Sequence, residues 1–238
     1  MKKILAFALG TIIIGLFLAV PIVLSATGPP YPIAPYPTIV WKDNFESYRC
    51  NKFPSKTWAI VFNGAGTSNQ HVSCTVAYDG THSLHLLGTN GWSATVSRNV
   101  PLNINTIGLS VWVYPTATTA TTLYVATVSF FWKPTTTYQW GVHIAQVGFL
   151  GNGKIVYEDD GSTIGTWTPN TWVKITIILC KGNGNILFAW VYINDVFVYG
   201  GDAAYGITGA LSNVQSVSLE GQWAGADVYF DAVEVFTL

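Results

Sequence analysis

The sequence predicts an all-β domain of two stacked antiparallel sheets, and three observations predict it. Helical periodicity is nearly absent after the first 26 residues. Short runs rich in Val, Ile, Thr, Tyr, Phe and Trp recur between clusters of Gly, Asn and Pro. Several runs alternate cleanly: Ile175, Ile177 and Leu179 share one side of their strand, and Lys174, Thr176 and Ile178 the other. Such alternation buries one face of each strand and leaves the other uncovered, which is what stacked antiparallel sheets require.

Taken in order, strands are expected at 40–48, 58–62, 72–77, 83–87, 92–100, 107–114, 124–132, 138–150, 154–158, 172–180, 187–193, 196–199, 214–221 and 227–236. The turn DGTH at 79–82 separates the third strand from the fourth. GNGK at 151–154 separates the eighth from the ninth, GNGN at 182–185 the tenth from the eleventh, and the dipeptide ND at 194–195 the eleventh from the twelfth. All are turn sequences that tolerate positive φ.

Composition bounds the partner. Of 238 residues, 50% are hydrophobic and 10% charged, against roughly 25% charged in an average soluble domain. Eleven basic and twelve acidic residues leave a formal charge of -1, so no basic stripe exists to neutralise phosphates and nucleic acid is disfavoured as a partner. A neutral glycan or cell-surface polysaccharide is expected instead.

Residues 1–26 read as an export signal or membrane anchor. Lys2 and Lys3 precede an uncharged apolar run over 4–24, and Ser25 and Ala26 supply small residues of the kind found at cleavage sites. The run is just long enough to span a bilayer, so an uncleaved anchor remains an alternative and is the one membrane contact expected. Residues 27–39 form a Pro-rich linker with five of the eleven prolines, an extended spacer or a disordered tail. Ile39, Val40 and Trp41 continue it as a strand-like segment able to add to an edge of this or a neighbouring molecule, a route to a homo-oligomer. Residues 40–238 are expected to form one domain, outside the cell or on its surface. Export favours a disulfide between Cys50 and Cys74, which flank the loop-rich stretch 51–73, whereas Cys180 ends an apolar strand and is expected to be a buried free thiol. There is no CxxC, no zinc-ligand spacing and no N-glycosylation acceptor.

Five segments carry a resemblance: DNFESY (43–48), YDGTHSLHL (78–86), WVKITI (172–177), WVYINDVFVYG (190–200) and DVYFDAVEVF (227–236). In order and spacing they resemble the laminin-G-like branch of the concanavalin-A-like lectin and glucanase superfamily, a two-sheet antiparallel jelly-roll sandwich. The resemblance spans residues 40–238. It implies that the first and last strands pair, and that a Tyr-Ile-Asn-Gly hairpin lies in the region where this chain has Asp195 for Gly. It also implies a structural Ca²⁺ held from the first and last strands, for which Asp43, Glu46 and Asp231 are the matching oxygen donors. Ala232 stands where the family more often has a second Asp.

The family's glycosidases carry Glu-x-Asp-x-x-Glu or Glu-x-Asp-x-Glu on one strand, because retaining hydrolysis needs two carboxyls across the scissile bond. That motif is absent, and the one carboxylate cluster, Glu158, Asp159 and Asp160, falls before Gly161 in what reads as a solvated turn. The family's polysaccharide lyases want Gln-x-His beside a Tyr and a cation. Here Gln139 and His143 share a strand face four residues apart, and His143 reads as an ordinary strand histidine. Aromatic residues set among polar turn residues are the candidate sugar-stacking platforms: Trp92, Trp132, Tyr138 and Trp223 first, then Trp167 and Tyr205. The sequence thus favours a non-catalytic carbohydrate-binding or adhesion module. A structural subunit of a surface layer or filament is the alternative, and a polysaccharide-processing enzyme the third reading.

Overall fold

The computed structural model describes residues 37–238 apart from 64–65, 90–92, 101–105, 120, 133–141, 182–186, 204–213 and 224. The leader and all but the last three residues of the linker lie outside the described residues. Within them fifteen strands form two antiparallel sheets, and the one helical element is a 3₁₀ turn, Thr67–Asn69.

The first sheet runs β13 (Val196–Asp202), β12 (Leu187–Ile193), β11 (Val173–Lys181), β6 (Thr106–Pro115), β15 (Asp227–Thr237), β4 (Ser83–Leu87) and β3 (Gln70–Ser73), with β1 (Thr38–Asp43) also paired to β15. The second runs β10 (Ser162–Thr166), β9 (Lys154–Tyr157), β8 (Val142–Leu150), β7 (Tyr124–Trp132), β14 (Val214–Gly221), β5 (Ala94–Asn99) and β2 (Ala59–Asn63). Between them lies one apolar core. Leu109, Val111 and Val113 of β6 and Ile175, Ile177 and Leu179 of β11 enter it from the first sheet, and Val128, Phe130, Val217 and Leu219 from the second.

The first and last strands are neighbours. β15 pairs with β4 through residues 227–230 and with β1 through residues 233–237, so it changes partner at Asp231 and Ala232, where Ala232 takes φ 46°. The first strand ends at Asp43, earlier than the sequence suggests, because Phe45 adopts φ 61° and turns the chain. β10 was not expected: Gly165 and a register shift between Thr163 and Gly165 hide its alternation. Cys50 and Cys74 are bonded, with Cα atoms 5.7 Å apart. Cys180 is free but only half-buried, a correction to the buried thiol expected. Leu179 points into the core, so the pleat turns Cys180 to the outer face.

A single carboxylate joins the sheets at one end. Asp43 of β1 accepts hydrogen bonds from the backbone N–H of Phe45 (3.0 Å), the Tyr48 hydroxyl (2.8 Å), the Trp58 indole (3.0 Å) and the Arg98 guanidinium of β5 (2.9 Å). Arg98 in turn lies 3.9 Å over the Trp41 ring, whose indole N–H donates to the Asn99 carbonyl. Removing one partner of such a buried pair strands the others. Asp43→Ala is expected to destabilise the domain by about 3–5 kcal/mol, read as a lowered midpoint in urea unfolding with an unchanged slope.

Candidate active site

The outer face of the second sheet carries polar residues that are nonetheless buried. In β14, Val217 and Leu219 enter the core, so the pleat sends Ser216, Ser218 and Glu220 outward, yet Ser218 is 0% and Glu220 2% exposed. Thr127 and Ser129 of β7 stand beside them, pairing in register with Glu220 and Ser218. Buried polar groups need partners, and these have them. Glu220 accepts from the Ser218 hydroxyl at 3.1 Å and from the Gln222 amide, which also reaches the Thr127 hydroxyl at 3.3 Å.

His143 of β8 closes this network. Its Nε2 lies 3.3 Å from Glu220 Oε1 and its Nδ1 2.9 Å from the Ser129 hydroxyl. A bulge then resets the strand. Between the pairs Phe130↔Ile144 and Val128↔Val147, two residues of β8 face the one residue Ser129, and Ala145 takes φ 53°. Ile144, Ala145 and Val147 all pack into the core, which leaves His143 and Gln146 together on the outer face.

A second pair faces the first. Tyr124 stands beside Glu158, and its ring covers Gly148 so closely that a Cβ there would sit 2.2 Å from Cε1. Burial, reinforced by Glu158, pushes the Tyr124 hydroxyl up to about 12. Burial also raises the Glu158 carboxyl; the neighbouring His143 works against this and Glu220 adds to it. Its Oε2 is buried without a hydrogen-bond partner. Glu158 is therefore the carboxyl held toward its neutral form. The next residue, Asp159, is pushed up to about 6, again by burial.

The solvated turn expected at 158–160 is thus corrected. Asp160 alone is exposed; Glu158 and Asp159 are part-buried because Glu158 N–H bonds the Gln146 carbonyl and draws the turn against β8. The second carboxylate missed in the sequence is Glu220, 62 positions away from Glu158 on a strand that reads as ordinary alternation. Gln139 lies outside the described residues, and the glutamine that joins His143 on its face is Gln146, concealed by the bulge.

The other expected residues fare differently. Trp92, Tyr138 and Tyr205 lie outside the described residues, and of Trp132 only the backbone is described. Trp223 is 48% exposed. Trp167 is a core residue, its indole donating to the Leu150 carbonyl at 2.9 Å. Asp43, Glu46 and Asp231 stand near the meeting of the first and last strands. Each is engaged by protein donors: Asp43 as above, Glu46 by the Thr81 and His82 backbone and side chains, and Asp231 by the backbone N–H groups of Tyr78, Asp79 and Ala232. Among the described residues the one group with metal-ligand proximity is Cys50, Cys74 and His82, and its two sulfurs are spent in the disulfide.

No family model and no curated protein sequence matches the chain. Solved structures do resemble it. The endo-β-1,4-glucuronan lyase of the fungus Trichoderma reesei superposes with a TM-score of 0.60 at 12% identity, covering 84% of this chain and 96% of that one. A carbohydrate esterase from the Shiga toxin-encoding bacteriophage phi24B gives 0.59 at 10% identity, over 85% and 99%. The marine alginate lyase from Aplysia kurodai gives 0.54 at 10% identity, over 84% and 100%. The shared architecture is a two-sheet antiparallel β-sandwich. The non-catalytic reading from the sequence is corrected here: the similar structures are polysaccharide lyases and an esterase, and the outer face of the second sheet gathers acid–base groups that the sequence scatters.

Asp159 gives the site a measurable pH signature. A carboxyl whose folded pKa is raised contributes stability that is complete below its ordinary value of 3.8 and is lost as pH rises through about 6. Between pH 7 and 4 the wild type is therefore expected to gain on Asp159→Asn by on the order of 1–2 kcal/mol, allowing for part-exposure, in parallel urea titrations.

Proposed function

We propose that this protein is a polysaccharide-processing enzyme, working outside the cell or on its surface, that cleaves uronate-containing chains by β-elimination. The carrying observation is the convergence of His143, Gln146, Tyr124 and Glu158 on one face of the second sheet. Elimination needs a base for the proton on the carbon beside the uronate carboxylate, a group that steadies the charge developing on that carboxylate, and an acid for the departing glycosidic oxygen. His143, oriented by Glu220, is the base once substrate displaces the Ser129 hydroxyl from Nδ1. Gln146 donates hydrogen bonds to the uronate carboxylate, and Glu158, whose carboxyl burial holds toward its protonated form, does the same. Tyr124 delivers the proton to the leaving oxygen. The C–H electrons become the new C=C bond as the C–O bond breaks, so the atoms balance without water. The similarity to glucuronan and alginate lyases supports this reading.

The test incubates the protein with glucuronan and alginate and follows the ultraviolet absorbance of the unsaturated uronate. Activity is expected, with His143→Ala lowering turnover by about 10²–10⁴. Reducing ends released without that absorbance would show hydrolysis instead and overturn the elimination reading. Gly148→Ala is expected to lower turnover at least about tenfold, because the added methyl displaces the Tyr124 ring and with it the donor's alignment.

A further inference from the structure

On the opposite side of the molecule, the outer face of the first sheet carries a row of aromatic rings that the proposed chemistry does not use. Leu109, Val111 and Val113 point into the core, so Trp112 and Tyr114 of β6 point out; Tyr229 of β15 and His85 of β4 do likewise. His85 lies 4.9 Å from Tyr229, Tyr229 6.0 Å from Tyr114, and Tyr114 5.0 Å from Trp172, centroid to centroid. Trp172 meets the edge of Tyr78 at 5.8 Å, and Tyr78 lies flat on Trp112, 3.8 Å away at 16°. Tyr78 is 45% exposed.

The loop that carries this ring is held unusually firmly. Asp231, itself 0% exposed, accepts the N–H groups of Tyr78 (2.7 Å) and Asp79 (3.0 Å). Glu46 accepts those of Thr81 (2.7 Å) and His82 (2.6 Å), and crowds the φ +76° backbone of Gly80 so that a Cβ there would meet its Oε1 at 2.5 Å. The sulfur of Cys50, in the disulfide, lies 3.6 Å from His82. An exposed ring fixed on a ring behind it, in a loop pinned at both ends, loses little conformational entropy on binding.

We propose that Tyr78, backed by Trp112 and Trp172, is a stacking platform for a neutral glycan chain, distinct from the cleavage site and on the opposite sheet. The flat apolar face of a sugar ring matches the open face of Tyr78, while its hydroxyls find partners along the row in the phenols of Tyr114 and Tyr229 and the indoles of Trp112 and Trp172. The charges along the row are Asp79 beside Tyr78, Asp227 on His85 at 2.6 Å, and Lys174, which pairs in register with Trp112 and whose ammonium is held by Asp195 at 2.8 Å. Carboxylates outnumber this one lysine, so the row disfavours an anionic polymer and fits an uncharged one.

The proposal is independent of the elimination chemistry, and its test keeps the two apart. Native gels cast with hydroxyethylcellulose, xyloglucan, galactomannan or alginate are run on the full chain, on Tyr78→Ala, on Tyr78→Phe and on Glu220→Gln. Retardation by at least one neutral polysaccharide is expected, unchanged by about 0.5 M sodium chloride. Tyr78→Ala should weaken it at least about tenfold, and Tyr78→Phe and Glu220→Gln should keep it. In the wild type, the retaining polysaccharide should also protect Tyr78 from nitration by tetranitromethane, a readout that needs no variant. No retardation by any neutral polymer, retardation by alginate alone, equal retardation of Tyr78→Ala, or unprotected Tyr78 would each overturn the platform.

Discussion

The structure rests on the two-residue pleat of its strands around one shared core. Once Val217 and Leu219 of β14 are committed to the apolar interior, Ser216, Ser218 and Glu220 must stand on the other face. Those groups are buried there all the same, and a buried polar atom left without a partner costs about 1–3 kcal/mol. The closed set of Ser218, Glu220, Gln222 and Thr127 avoids that cost, and it does so by spending the Glu220 carboxylate inside the protein. Glu220 is thereby a fixed wall against which His143 is oriented. The groups free to meet a ligand are the ones at the margin of this set.

At the other end of the sandwich, carboxylates do a different job. Asp43 spans the sheets, while Asp231 and Glu46 grip the two ends of the loop at 78–82. The Glu46 carboxyl is lowered to about 2, first by its hydrogen bond to the His82 side chain and then by the Thr81 N–H. Asp231 is raised to about 6 because burial outweighs its three backbone donors. A Ca²⁺ site and a set of backbone clamps ask for the same residue type at the same positions, acidic side chains on the first and last strands. Sequence resemblance alone does not separate them. In this structure Asp231 and Glu46 accept the N–H groups of Tyr78, Asp79, Thr81 and His82.

Much of the fold was legible because its signals are local. Strands at 83–87, 124–132, 187–193 and 214–221 have the bounds their alternation suggests, and the pairing of β1 with β15 follows from apolar patterns at both ends of the chain. The candidate site was not legible, for two physical reasons. Its members Tyr124, His143, Gln146, Glu158 and Glu220 come from three strands and one turn, and only the sheet order β9, β8, β7, β14 puts them side by side. The bulge at Ala145 then inverts the parity of β8, so counting by twos from His143 leads to Ala145 and Val147, which are core, and passes over Gln146. Trp167 failed as a rim platform for a related reason. Polar neighbours in sequence, Thr166 and Thr168, say nothing about the Phe149 ring 6.2 Å away that draws the indole into the core.

The bulge is also what makes the chemistry asymmetric. A regular β8 would alternate His143 with a second outward residue at 145 and turn Gln146 inward, into the apolar core. Inserting one residue instead gives β8 two polar side chains on the outer face and leaves the Gln146 carbonyl aimed at the Glu158 N–H. That bond is what draws Glu158 in from solvent, and burial is the first cause of its raised pKa. So one backbone irregularity both seats the glutamine beside His143 and, by burying Glu158, raises that carboxyl. Environment alone thus sets the two acidic residues apart: burial raises the Glu158 carboxyl, while hydrogen bonds from Ser218 and Gln222 engage Glu220.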